Sequence, residues 1–89
     1  MIRLNWKLKQ FQDLSTVELY NILKARVDVF VVEQNCPYHE VDNYDQVSSH
    51  LFLETNGEII AYSRLIPENN IDEQASIGRV LVNKDYRKL

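Results

Sequence analysis

Asn56-Gly57 stands between two runs of strand-forming residues, His50-Leu-Phe-Leu-Glu-Thr55 and Glu58-Ile-Ile-Ala-Tyr-Ser-Arg-Leu-Ile66. A two-residue turn of this composition tolerates positive φ at both positions and matches the twist of the strands it joins, so the stretch predicts an antiparallel β-hairpin. In a chain of 89 residues, which makes a single domain at most (1–89), that hairpin puts a sheet at the centre of the fold. A further strand is predicted over Ser76–Val82 from Ile77, Val80, Leu81 and Val82, with a polar break after it at Asn83-Lys84-Asp85. Ile59-Ile60 and Val80-Leu81-Val82 are apolar at consecutive positions, the pattern of central strands covered on both faces.

Upstream, Ile2, Leu4, Trp6 and Leu8 alternate with Arg3, Asn5, Lys7 and Lys9, which predicts an edge or near-edge strand with its apolar side buried and its basic side wet. Leu14-Ser15-Thr16-Val17-Glu18 then supplies a helix start, with Ser15 as the cap and Glu18 placed to bond back to it. Tyr20, Leu23, Val27 and Phe30 or Val31 recur at spacings of three and four, so the helix should pack that stripe on the sheet and turn Asn21, Lys24 and Asp28 outward. Pro37 disfavours helical geometry at Cys36, so the helix should lose regularity near Glu33-Gln34-Asn35. Cys36–Ser49 is a polar, acidic and aromatic loop, and Pro67–Ala75 is a polar connection. The order strand-helix-loop-strand-strand-strand belongs to the α/β class, in its α+β form with a mixed sheet. One helix cannot cover both faces of such a sheet, so covering elements are expected C-terminal to Leu89 or from another chain.

With 45% hydrophobic and 26% charged residues, the composition is that of a packed globular domain. A formal net charge of −3 argues against a general nucleic-acid binder. The N-terminus has no unbroken apolar stretch, and no segment approaches the roughly 18 apolar residues of a membrane span, so a soluble, cytoplasmic protein with no membrane partner is expected. One cysteine, Cys36, cannot form an intramolecular disulfide and is expected to be partly buried.

Several polar groups are candidates for chemistry. Glu33 is either a solvated helix end or a carboxylate that takes a proton through a water or receives a cationic substrate. Glu40, Asp42 and Asp45, interleaved with Tyr38 and Tyr44, form either an acidic, aromatic-walled mouth for an amine or a solvated loop whose carboxylates cap turns. Arg26, Arg64 and Arg79 need partners if buried, and Glu33, Asp42 and Asp45 are the available ones. His50 is either a hydrogen-bonded structural residue or a proton carrier. His39, His50, Cys36, Glu40 and Asp42 are metal-ligand types, but their spacing matches no compact ligand motif and no metal is expected. Arg87 stands where a helix ought to start, the position that presents backbone N–H groups to a phosphate.

The run Arg26-Val-Asp-Val-Phe-Val-Val-Glu-Gln-Asn-Cys-Pro-Tyr-His-Glu-Val-Asp-Asn-Tyr-Asp45, with His50, Ala61-Tyr-Ser-Arg64 and Ile77-Gly-Arg-Val80, resembles the GNAT superfamily of N-acetyltransferases and within it the ElaA-like branch. The resemblance extends from about Trp6 onward. It implies the N-terminal part of a GNAT fold, with acetyl-CoA as cosubstrate and direct transfer of its acetyl group to a small-molecule or peptide amine. By the same resemblance the backbone of Val80, Leu81 and Val82 would pair with the pantetheine arm. Arg87, Lys88 and Leu89 would be the first three positions of an Arg-x-x-Gly-x-Gly/Ala phosphate loop. Both glycines would fall beyond Leu89, so the chain departs from the family by truncation inside that loop. Glu33 is the candidate catalytic base, and either Glu33 or the loop of Glu40, Asp42, Tyr44 and Asp45 would serve the amine. An N–H of Val80 or Leu81 would stabilise the thioester oxyanion if the fourth strand is splayed. The alternatives are an inactive fragment that forms a homo-oligomer through its exposed sheet edge, and a CoA-binding module without turnover.

Overall fold

A computed structural model describes residues 5–37, 39–68 and 74–87. Ile2 and Leu4 of the expected first strand, Tyr38, residues 69–73 of the polar connection, and Lys88 and Leu89 lie outside the described residues. Strand β1 (Asn5–Gln10) is followed by helix α1 (Thr16–Arg26), which runs on as a π-helical segment, Val27–Glu33. After the acidic loop come β2 (Ser49–Thr55), β3 (Glu58–Ile66) and β4 (Ser76–Val82), with short 3₁₀ turns at Phe11–Asp13, Asp45–Val47 and Lys84–Tyr86. The strands lie in the order β1-β2-β3-β4, each antiparallel to its neighbour. Asn56 (φ 50°) and Gly57 (φ 77°) make the hairpin turn, and Thr55 faces Glu58 across it.

The helix start is built as its residues predict. Ser15 Oγ accepts the Glu18 N–H at 3.0 Å, and Glu18 Oε1 accepts the Ser15 N–H at 2.8 Å. Lys7 Nζ (3.1 Å) and Lys9 Nζ (2.9 Å) reach the same carboxylate, and Lys7 also bonds Glu54. Burial pushes the Glu18 carboxyl upward, but the Ser15 N–H and the two lysines outweigh it and hold the group at about 2.

That ion-pair set reverses the expected faces of β1. Helix α1 lies over the lysine side of the strand, and Trp6 and Leu8, expected to be buried, are 58% and 65% exposed on the other side. Alternation marks two faces without saying which one a helix will cover. Here the buried carboxylate of the cap chose the basic face.

The helical stripe is shifted for the same reason. Glu18, Ile22 and Arg26 are the buried positions of α1, followed by Val29 in the π-helical segment, whereas Tyr20 is exposed. The core consists of Ile22, Val29, Phe52, Ile59, Tyr62 and Leu81, with Leu14, Ala25 and Phe30 packed against it. The π-helical segment ends as Pro37 predicts, at Gln34 and a left-handed Asn35 (φ 52°).

On the sheet face away from α1, Trp6, Leu53, Ala61 and Val82 occupy one row of the register. Ile59 and Ile60 are buried as expected, but Val80 and Ile77 are 64% and 70% exposed, because β4 is an edge strand among the described residues rather than a central one. No helix of the described residues is long and apolar enough to cross a membrane.

Glu18 ties cap, helix and β1 together, and its folded-state pKa lies below the unfolded value of 4.5, so the unfolded chain binds a proton first on acidification. Stability should therefore fall between about pH 4.5 and 2, and Glu18→Gln should flatten that part of the profile while costing about 1 kcal/mol at pH 7, read from urea melts at each pH.

Candidate active site at the free edge of the fourth strand

Across β3 and β4, Tyr62 faces Leu81 and Arg64 faces Gly78, so Ser63 stands opposite two residues, Arg79 and Val80. This is a β-bulge. Arg79 adopts φ 52°, a left-handed conformation that costs a non-glycine residue about 1 kcal/mol or more. The Asn83 N–H bonds the Ile60 carbonyl at 2.7 Å, which sets the phase of the ladder. By the alternation of an antiparallel pair, Leu81 bonds inward to β3, while the N–H and C=O groups of Val80 and Val82 point away from it. Of the two residues expected to offer a free N–H, Val80 is therefore the one with a group on the open edge.

A cavity of about 400 Å³ lies against this edge, lined by Val29, Glu33, Gln34, Val80, Leu81, Val82 and Arg87. Arg87 crosses it. Its Nε–H donates to the Val82 carbonyl at 2.8 Å, and its Nη1 and Nη2 donate to the two oxygens of Glu33 at 2.5 and 3.1 Å. Two residues singled out for different tasks, base and phosphate holder, thus hold each other. The Arg87 guanidinium beside Glu33 keeps its carboxyl below the usual range.

The acidic loop folds inward around three arginines. Arg26, fully buried, donates Nε to Glu40 Oε2 (2.7 Å), Nη1 to Asp45 Oδ1 (2.7 Å) and Nη2 to the Glu40 carbonyl (2.8 Å), and lies over the Tyr62 ring. Arg64 grips both oxygens of Asp42 at 2.8 Å and reaches Asp45 at 3.0 Å. Arg79 completes the set from the bulge, donating Nε to Glu40 Oε2 at 2.7 Å and Nη2 to Asp42 Oδ2 at 3.2 Å. Burial pushes the Asp42 carboxyl up, and the bonds from Arg64 and the Tyr44 N–H more than reverse it.

The substrate-side residues read from sequence are thus brought together, though mostly as ion-pair partners. Asp42 and Asp45 are held by arginine, and Tyr44 contributes its carbonyl to Ser48 and its N–H to Asp42. Glu40 keeps one buried oxygen, Oε1, with no hydrogen-bond partner among the described residues, and lines a second cavity of about 250 Å³ with Phe30, Gln34, Cys36 and Arg79. Cys36 is exposed there, not partly buried, since it follows the left-handed Asn35 at the end of the helix with its N–H still bonded to the Val31 carbonyl (3.0 Å).

His50 is fully buried beneath this cluster. Its Nε2 donates to the Asp45 carbonyl (2.9 Å), so its Nδ1 accepts from the Tyr62 hydroxyl (2.6 Å). Both ring nitrogens are used in packing the loop onto β2 and β3, and burial lowers the His50 pKa from 6.5. The bulge and Arg79's conformation had no sequence signal beyond Gly78 beside an arginine.

No protein-family model matches the chain. The structure superposes on an acyl-CoA N-acyltransferase from Pseudomonas aeruginosa with a TM-score of 0.90 at 42% identity, covering 96% of this chain and 60% of that one. A helix-on-sheet layout with a bulged fourth strand is therefore, in this chain, a GNAT fold. More particularly the fold is ElaA-like. Escherichia coli ElaA gives a TM-score of 0.90 at 36% identity over 98% of this chain and 60% of that one, and a UPF0039 protein of Schizosaccharomyces pombe is 47% identical over 89 residues, 99% of this chain and 58% of the relative. The chain spans a little over half the length of the relatives it matches.

Removing one partner from a buried ion-pair set leaves charges that nothing compensates. Arg26→Met should cost about 3–5 kcal/mol in urea melts, because Glu40 and Asp45 then share fewer arginine bonds in the same buried space. His50 has a second consequence: since its folded-state pKa lies below 6.5, the unfolded chain takes up a proton first and stability should decline as pH falls below 6.5. Repeating the melts on His50→Gln should show that slope reduced.

Proposed function

We propose that the chain carries the cofactor-facing part of an acetyl-CoA-dependent N-acetyltransferase that passes acetyl directly from the thioester to a primary amine. The observation that supports this most is the bulged free edge of β4. Val80 and Val82 turn backbone polar groups outward there over a cavity that Arg87 also lines. An extended amide-bearing arm finds the donors and acceptors of a missing neighbouring strand along such an edge. The residues fit acetyl-CoA in that respect: Val80 and Val82 would hold the arm, and Arg87, with Lys88 and Leu89 after it, would meet the phosphates. Bound acetyl-CoA supplies an acyl group activated as a thioester.

The chain's own groups then have distinct tasks. The Val80 N–H, fixed by the bulge and free of β3, is the donor for a carbonyl oxygen gaining negative charge. Glu33 is ionised at neutral pH and takes the amine proton through a water once Arg87 no longer saturates it. On the acceptor side Glu40 lines the second cavity, of about 250 Å³, with Phe30 and Gln34, while Asp42 and Asp45 position the loop and leave little net charge for a cation.

Calorimetric titration with acetyl-CoA is the direct test. Saturable binding that weakens at least fivefold in Arg87→Ala is expected, and absence of heat at millimolar cofactor would remove the chain from the acetyl-CoA-binding class.

A second reading is favoured by one specific observation, the exposed apolar side chains Ile77 and Val80 on β4, whose outer edge is unpaired among the described residues, with Trp6 and Leu8 exposed on β1 at the other edge of the sheet. Such a surface promotes self-association of the chain. Light scattering across a dilution series should then give a mass that rises with concentration, and a monomer at every concentration contradicts it.

A further inference from the structure

Arg87 has one guanidinium and, in this structure, two employers. Its Nε–H is committed to the Val82 carbonyl, an outward-pointing acceptor on the edge of β4, and its outer nitrogens are committed to Glu33 in a two-point contact. The same planar fork suits a phosphate as well as a carboxylate. Both side chains are exposed, 40% for Arg87 and 37% for Glu33, so a ligand anion can approach the pair from solvent. Arg26 differs in that its carboxylate partners, Glu40 and Asp45, are buried and closed to a ligand from solvent. All three groups, Glu33, Val82 and Arg87, line one cavity.

We propose that Glu33 is an internal stand-in for a ligand anion, occupying Arg87 until the diphosphate of a CoA-type ligand displaces it. The proposal rests on the acetyl-CoA reading of the cleft and adds a role that reading does not contain. Arg87 cannot serve Glu33 and a diphosphate with the same two N–H groups, so the two anions compete. Glu33 is freed in the same event, so a carboxylate that Arg87 engages in the ligand-free chain becomes available only after the cofactor has arrived.

The test is affinity rather than turnover. Acetyl-CoA should bind Glu33→Gln more tightly than the native chain, by about two- to fivefold, the range for relieving one exposed ion pair. Pantetheine, which lacks the diphosphate, should show no such gain. Asp13→Asn removes the same charge near β1, at the opposite edge of the sheet, and should leave acetyl-CoA affinity unchanged. Ligand-free melting temperature is recorded alongside, because a purely structural pair would lower both stability and affinity when broken. Equal or weaker acetyl-CoA binding by Glu33→Gln overturns the exchange while leaving the cofactor reading standing, and so does an equal gain in Asp13→Asn. If neither the native chain nor Glu33→Gln binds acetyl-CoA, the cofactor reading falls and the exchange falls with it.

Discussion

Arg26 is the group on which the rest of the structure depends. It sits at the end of α1 with no exposed surface and bonds Glu40 and Asp45, residues of a loop that could not otherwise lie against the sheet. A guanidinium out of water is tolerable only when its donors are satisfied by charged or carbonyl oxygens, and the fold supplies these from one loop. The need runs both ways. Without the arginines, Glu40, Asp42 and Asp45 would stay in solvent and drag the loop out with them, uncovering His50, Tyr62 and the core beneath.

The same cluster shapes β4. Arg79 reaches Glu40 and Asp42 from a left-handed backbone conformation in the middle of a strand, and the strand bulges where it does so. Local strain of this kind persists when surrounding contacts over-determine it. Two charge-assisted bonds, one to the buried Glu40 and one to the half-buried Asp42, are enough to do so. The bulge then resets which backbone groups face the free edge, so a buried ion-pair set on one side of the sheet determines the hydrogen-bonding surface offered on its rim.

Arg87 shows the opposite physical regime. It uses the same chemistry as Arg26, arginine on carboxylate and carbonyl, yet in solvent, where the pair is weak and replaceable. The buried pairs are fixed architecture, whereas the exposed one is open to exchange. The difference is desolvation rather than residue type.

How much of this could be read from the residues differs element by element. Asn56-Gly57 and Ser15-x-x-Glu18 specify their turn and cap through local backbone geometry and local hydrogen bonds, so the hairpin and the start of α1 appear where the residues place them. Ser76–Val82 is a strand for the same local reason, and the GNAT resemblance of residues 26–45 agrees with the fold. Which face of β1 and which stripe of α1 are buried was decided only by tertiary structure. Lys7 and Lys9 meet Glu18, and Arg26 meets Glu40 and Asp45, across separations in sequence over which hydrophobic periodicity carries no information. The pairing of Glu33 with Arg87 is likewise invisible in the chain, since it joins residues 54 positions apart. The sequence by itself determined the elements, because their energetics are local. The tertiary structure decided where charge is buried, because desolvation depends on everything that packs around a group.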